Sequence, residues 1–275
     1  MAGGLSDIPQ VVSVYATGGG RDLTALVVAG DMNALSSLLL ERLPSVPGIA
    51  SAAAHIGIDW YSGVHWRLGA IDTEQKRSVA EESVKEQRSA TRMRVFDEAD
   101  RQLFVALQQD GRARYRFLAS ELGTSEHLVR RRLETLLRRR MLDFRTDFAR
   151  TEGGWPAEFV SWLEVPHHHL AEFGAEIARW PTTRICMSTV GTANLMVMSQ
   201  VHQVRDLSDI LDRIRDHLPR ATVVDQRLVL RPVKSWGRLL DNDGRAAGVV
   251  PVDPWAAATA AGRAGSSVGG PGQHL

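Results

Sequence analysis

The chain carries one apolar pattern twice, 172 residues apart, and this repeat restricts its architecture more than any other feature. Gly19-Gly20-Arg21-Asp22-Leu23 aligns without a gap on Gly191-Thr192-Ala193-Asn194-Leu195. In that register Leu35 falls on Leu207, Leu38 on Ile210, Leu39 on Leu211, Pro47 on Pro219, Ile56 on Leu228 and Ile58 on Leu230. Identities are few, but the apolar positions agree from the glycine turn onward, so one fold is used twice.

The second copy is the easier to read. Arg184–Val190 and Leu195–His202 are β-branched or Met-rich runs around a Gly-containing turn, a hairpin signal. Val204–Leu218 spaces Val204, Leu207, Ile210, Leu211, Ile214 and Leu218 by three and four, which predicts an amphipathic helix ending at Pro219. Thr222–Val233 follows as a long strand. Phe159–Val165 and Leu170–Trp180 add a strand and a helix upstream. Residues 155–236 therefore predict β-α-β-β-α-β, the ferredoxin-like arrangement.

The first copy, residues 1–70, is incomplete. Met1 falls where the first helix should be ending, so the first strand and most of that helix are missing. In this topology the first strand lies between the third and fourth. Its loss predicts open backbone edges and an uncovered apolar face. Such a half-domain is not expected to be stable alone; the expectation is an upstream start or a partner subunit in the gap. A tandem parent, with a helical unit before each copy, is the corresponding expectation.

Between the copies, 71–94 is polar and reads as a linker with helical tendency, and 95–150 is arginine-rich. Residues 92–150 hold fourteen arginines against nine acids, although the whole chain has a net charge of only +1. A basic block in a near-neutral protein points to a polyanion, the competing reading being a solvated helix face. Residues 237–275 are rich in Gly, Ala and Pro and are predicted to be a disordered tail.

Within 97–142 three short helices are expected. Asp97 suits an N-cap, and Ala99, Leu103, Ala106 and Leu107 form an apolar face that runs to Gly111, a candidate C-cap. Phe117, Leu118, Ala119 and Leu122 form the second helix, stopped at Gly123. Thr124 or Ser125 caps the third, which turns Val129, Leu133, Leu136 and Leu137 inward. Two short helices joined by Leu122-Gly123-Thr124-Ser125, the second rich in arginine, make a helix-turn-helix pattern. Glu126, His127, Arg130 and Arg131 are then the outward residues aimed at base edges, and Ser125 and Arg132 the phosphate contacts. A structural three-helix unit without DNA binding is the alternative.

The residues Asp97-x-x-Asp100-Arg101-x-Leu103, Asp110-Gly111-Arg112, Leu118-Ala119, Leu122-Gly123-x-Ser125 and Val129-Arg130-Arg131-Arg132-Leu133 resemble the Lrp/AsnC family of transcriptional regulators. The βαββαβ unit behind them is similar to that family's effector domain. The resemblance implies an α+β protein, a winged-helix-like helix-turn-helix domain plus ferredoxin-like domains. It further implies partnership with double-stranded DNA, a homodimer or larger assembly, and a small effector such as an amino acid. The family's effector turn reads Gly-x-x-Asp-Leu, which marks Gly19, Asp22, Gly191 and Asn194 as candidate effector residues. Asn194 lacks the carboxylate that would hold an ammonium group. Sirohaem decarboxylases resemble the same layout, so an enzyme remains an alternative, as does an architectural DNA-binding protein.

The remaining motifs carry little chemistry. His167-His168-His169 are adjacent and cannot converge on one ion, so no metal is expected. Gly18-Gly19-Gly20 lacks dinucleotide-binding spacing, no cofactor is implied, and no catalytic constellation shows in local spacing. Trp60, Trp66, Trp155, Trp162 and Trp180 are expected in packing, and the single cysteine, Cys186, as an inert buried residue. No apolar run reaches the roughly 18 residues of a membrane span. With no signal-peptide pattern in the first twenty residues, a cytoplasmic address is the expectation.

Overall fold

The repeat register reappears in the hairpin turns of the computed structural model, which describes residues 2–62 and 96–256. Gly19 and Gly191 sit at φ 122° and 125°, backbone open to residues without a Cβ. Thr17 Oγ1 donates to Arg21 O at 2.7 Å, and Thr189 Oγ1 donates to Ala193 O at 2.8 Å. Thr17 N and Thr189 N likewise donate to Asp22 O and Asn194 O. All these pairs are related by the same shift. The two turns are one structure.

The first copy supplies α1 (Ala2–Ser6), β1 (Val11–Gly18), β2 (Leu23–Val27), α2 (Met32–Ser37, continued by a π-helical turn at Leu38–Arg42) and β3 (Gly57–Ser62). A helical unit follows: α3 (Glu98–Gln109), α4 (Tyr115–Glu121) and α5 (Glu126–Arg138). The second copy is β4 (Ala157–Glu164), α6 (Leu170–Ala178), β5 (Thr183–Thr189), β6 (Leu195–Val201), α7 (Leu207–His217) and β7 (Thr222–Ser235), with β8 (Arg238–Leu240) and β9 (Ala246–Val249) after it. In register, α1 is the last part of α6. The linker expected over 71–94, and Trp66, lie outside the described residues.

β4 explains why the second copy is self-sufficient. Alternate residues of a strand point to opposite faces. Phe159 and Leu163 pack with Leu170, Phe173, Ile177 and Trp180 beneath the helices. Val160 and Trp162 pack on the other face with Ile185, Met187, Met196 and Met198. β4 also pairs antiparallel with both β6 and β7. One strand thus supports two cores and two ladders.

The first copy forms no sheet of its own. It joins the second in a nine-stranded sheet whose main path is β2-β1-β7-β4-β6-β5-β3, with β8 and β9 off β7. The joints obey an internal two-fold. Thr17 pairs with Val229, Tyr15 with Pro232 and Val14 with Lys234. Thr189 pairs with Gly57, Met187 with Trp60 and Cys186 with Ser62, the same positions with the copies exchanged. Each copy's last strand completes the other's second strand.

β6, flanked by β5 and β4, is buried along its whole length, whereas no residue of its counterpart β2 is fully buried. Among the described residues β2 and β3 end the main path.

The tail expectation needs correction. Residues 237–256 are ordered into β8, β9 and a docking segment; only 257–275 fall outside the described residues. Trp236 and Gly237, at φ 49° and 83°, form the two-residue hairpin between β7 and β8. Trp255 lies 5.4 Å from Phe96 and 5.8 Å from Phe104, while the Arg101 guanidinium stands 5.0 Å above its ring. Gln108 exchanges hydrogen bonds with the Val252 backbone, and Gly30 N donates to Pro254 O. A few anchors in a small-residue segment tie α3 to the first copy. Composition hid them.

Lys234 is buried completely and donates through Nζ to Ser6 O and Ile8 O at 2.9 and 3.3 Å, satisfying carbonyls at and just beyond the end of α1. Burial lowers its ammonium to about 8, against an ordinary 10.5. Between those values the unfolded chain holds the proton and the folded protein does not. The Lys234 contribution to stability should therefore rise with pH across that window and fall as pH drops through the lower value. The difference in urea midpoint between wild type and Lys234→Met, measured across the window, should show this slope.

Candidate nucleic-acid interface and effector turns

The three helices are built from their caps. Asp97 Oδ1 accepts from Asp100 N at 2.8 Å, and Asp100 Oδ2 accepts from Asp97 N at 3.1 Å, a reciprocal box at the start of α3. Ser125 Oγ accepts from Leu128 N at 3.3 Å and caps α5. Gly123, at φ 59°, makes the turn between α4 and α5. Leu103, Leu107, Leu118, Val129, Leu133 and Leu136 close the core between them. Two local expectations change. α3 stops at Asp110 in extended backbone, so Gly111 is not a left-handed cap. Leu137 is 37% exposed, so it does not belong to the core.

α5 ends on a non-glycine residue in left-handed backbone. Arg140 has φ 54°; its N–H donates to Leu137 O and that of Met141 to Leu136 O, both at 2.9 Å. This is the helix-terminating pattern in which glycine is usual. From Leu142 to the start of β4 the chain runs without strand pairing among the described residues.

The arginines of α5 divide into two groups. Arg132 reaches back to α3, where Nη1 lies 2.7 Å from Asp97 Oδ1 and also bonds Asp100, whose side chain is wholly buried. Hydrogen bonds donated to those carboxylates, Asp97 first, hold its guanidinium above the ordinary value. Arg132 thus braces α5 against α3. Arg130 and Arg131 are exposed and make no ion pair among the described residues; Arg130 stands 5.3 Å over the Tyr115 ring. Glu126 and His127 are exposed in the first turn, beside the Ser125 hydroxyl. Ser125, Glu126, His127, Arg130 and Arg131 therefore share one solvent-facing end of α5. Arg132 does not join them. The Asp97–Asp100 spacing was the sequence signal for its carboxylate partners.

The effector turns differ in what their acidic position does. Asn194 Oδ1 accepts from Val165 N at 2.9 Å and Nδ2 donates to Val165 O at 2.8 Å, so its amide locks the turn to the chain just past β4. Asp22 is exposed and borders a groove of about 860 Å³ between β2 and residues 48–60. The sequence did not reveal this groove. Arg227 also lines it, held by Asp225 at 2.6 Å and lying 4.3 Å over Trp162. Gly19 and Gly191 shape the backbone of the turns.

Among the described residues no cluster of three metal-ligating side chains occurs, and His167–His169 form a 3-10 turn. No helix of the described residues is long and apolar enough to cross a membrane. Cys186 is buried, and burial pushes its thiol up to about 12.

A fold of capped helices with an exposed arginine end, joined to a duplicated ferredoxin-like sheet, defines a helix-turn-helix DNA-binding regulator. The family model for the Lrp/AsnC ligand binding domain matches residues 1–61, and that for the AsnC-type helix-turn-helix domain matches 96–137. The HTH-type transcriptional regulator LysM of Saccharolobus solfataricus is 26% identical over 120 residues, 44% of this chain and 84% of that protein. LrpC of B. subtilis is similar at 19% identity and a TM-score of 0.44, over 50% of this chain and 96% of its own. A feast or famine regulatory protein of M. tuberculosis, complexed with L-methionine, is similar at 23% identity and a TM-score of 0.44, over 50% and 93%. Two of its regions thus match models of the Lrp/AsnC family, and the chain is a DNA-binding transcriptional regulator of Lrp/AsnC type.

Proposed function

We propose that α5 enters the major groove of duplex DNA with Arg130 and Arg131 on base edges, flanked by His127 and Glu126, while the Ser125 hydroxyl donates to a phosphate. The observation that carries this reading is the division of labour on α5: Arg132 is tied to Asp97 and Asp100, and its two neighbours are left to the solvent. Arginine can bind guanine O6 and N7 with two parallel hydrogen bonds, each such pair contributing about 1–3 kcal/mol of discrimination. The sheets assemble subunits, and a small ligand, an amino acid or similar metabolite, binds at the Gly19–Asp22 turn. The Gly191–Asn194 turn is the poorer candidate, because Asn194 is neutral and its amide is already engaged with Val165.

Selection of bound duplexes from a random pool, with wild type and with Arg130→Ala and Arg131→Ala, tests the reading. Each variant should lose about 1–3 kcal/mol at a defined base pair and keep its preference elsewhere. A uniform drop with unchanged sequence preference would show backbone contact only and favour an architectural protein. Repeating the selection with and without candidate amino acids, and with Asp22→Asn, reads out the effector part.

A further inference from the structure

We propose that residues 250–256 are a strap that fixes the helix-turn-helix unit against the sheet of the first copy. Trp255 is its positioning residue, and it sets how far apart two assembled subunits hold their recognition helices. The proposal rests on α5 as the reading helix and on assembly through the sheets. It starts from local sequence. Pro251 and Pro254 fix their own φ and bias Val250 and Asp253 towards extended backbone, so ordering this short segment costs little chain entropy. Asp253 Oδ1 accepts from Trp255 N at 2.9 Å, a local turn that sets the backbone under the indole.

The strap is held from two directions. On the helical side Val252 exchanges hydrogen bonds with the Gln108 side chain at 2.7 and 2.8 Å, and the Trp255 ring meets Phe96, Phe104 and the Arg101 guanidinium. On the sheet side Asp253 N donates to Pro9 O at 3.0 Å and Gly30 N to Pro254 O at 2.7 Å. The buried Gln10 adds a bond from Nε2 to Ala256 O at 2.7 Å. Gly30 matters for the side chain it lacks. A Cβ there would stand 2.7 Å from Trp255 Cδ1, so the indole lies directly on the backbone between β2 and α2. Two units pinned through one indole keep one orientation. A pair of recognition helices at fixed separation prefers one half-site spacing, and the second helix then binds as an intramolecular partner of the first.

The test compares the whole 1–275 protein with Trp255→Ala, Trp255→Phe and Gly30→Ala, none of which alters a residue of α5. Without DNA, the Gly30 and Val252 amides of Trp255→Ala should exchange at least about tenfold faster, and those of Val129, Leu133 and Leu136 at the wild-type rate. Duplexes are then chosen by wild-type selection. Trp255→Ala and Gly30→Ala should bind a single half-site within about twofold of wild type, yet lose at least about tenfold on two half-sites at the preferred spacing. Both should also accept neighbouring spacings that wild type rejects. Trp255→Phe should recover most of the loss. Equal losses on one and two half-sites overturn the proposal and make Trp255 a packing residue of α3. Wild-type affinity and spacing preference in either alanine variant overturn it as well. Failure of wild type to select any duplex refutes the reading of α5 instead; unchanged exchange at Gly30 and Val252 then still decides against the strap.

Discussion

Arg150→Met is expected to destabilise the sheet by about 3–5 kcal/mol, a large share of the roughly 5–15 kcal/mol that keeps an ordinary domain folded. Arg150 pairs with Glu158 at the start of β4, and their side chains are only 11% and 4% exposed. Burial alone would lower the Arg150 guanidinium, but the Glu158 carboxylate holds it above its ordinary value. Removing the arginine strands a carboxylate in the interior, where an unpaired charge is far more costly than a missing pair. The double variant Arg150→Met/Glu158→Leu should therefore recover much of the loss. Urea unfolding followed by the fluorescence of the buried Trp162 and Trp180 reads both variants. A loss below about 1 kcal/mol for the single variant would mean that water reaches the pair and that it behaves like a surface contact.

Arg132→Ala is expected to lower the melting temperature of the helical unit, and with it DNA binding on warming, without removing any contact to DNA. Its Nη1 bonds both Asp97 and the wholly buried Asp100, so the substitution takes this guanidinium away from both carboxylates. Loss of a hydrogen-bonded charge partner here should lower the stability of α3–α5 by about 2–3 kcal/mol. The reading has a clear rival, a phosphate contact by Arg132, and salt separates the two. If Arg132 only braces α5, the fraction that remains folded in the cold binds DNA with an unchanged slope of log K against log salt. If it grips a phosphate, the slope falls by about one. A thermal melt of the variant gives the stability loss independently. An unaltered melt with a reduced slope would refute the bracing role.

Local signals in this chain were legible. The helix starts at Asp97 and Ser125, the turn at Gly123 and the strands around Gly191 all lie within a few residues of where spacing and turn chemistry put them. The 172-residue repeat was legible as well, and it located the shared glycine turns. Arg132 was harder to read. Nothing in a run of three arginines tells which one faces a carboxylate 35 positions away. The tail was misread because its order rests on a handful of anchors, Gly237, Val252 and Trp255 among them, set in a composition typical of disorder.

By itself the sequence determined the period of each element, the chemistry of each turn and the existence of two related halves, because caps, alternation and glycine backbone act over a few residues. Only the tertiary structure decided that the halves share one sheet through an internal two-fold and that Asn194 is a lock where Asp22 is exposed. Those outcomes depend on which backbone edges and charges meet once the chain has closed on itself, and such meetings leave no periodic trace along it.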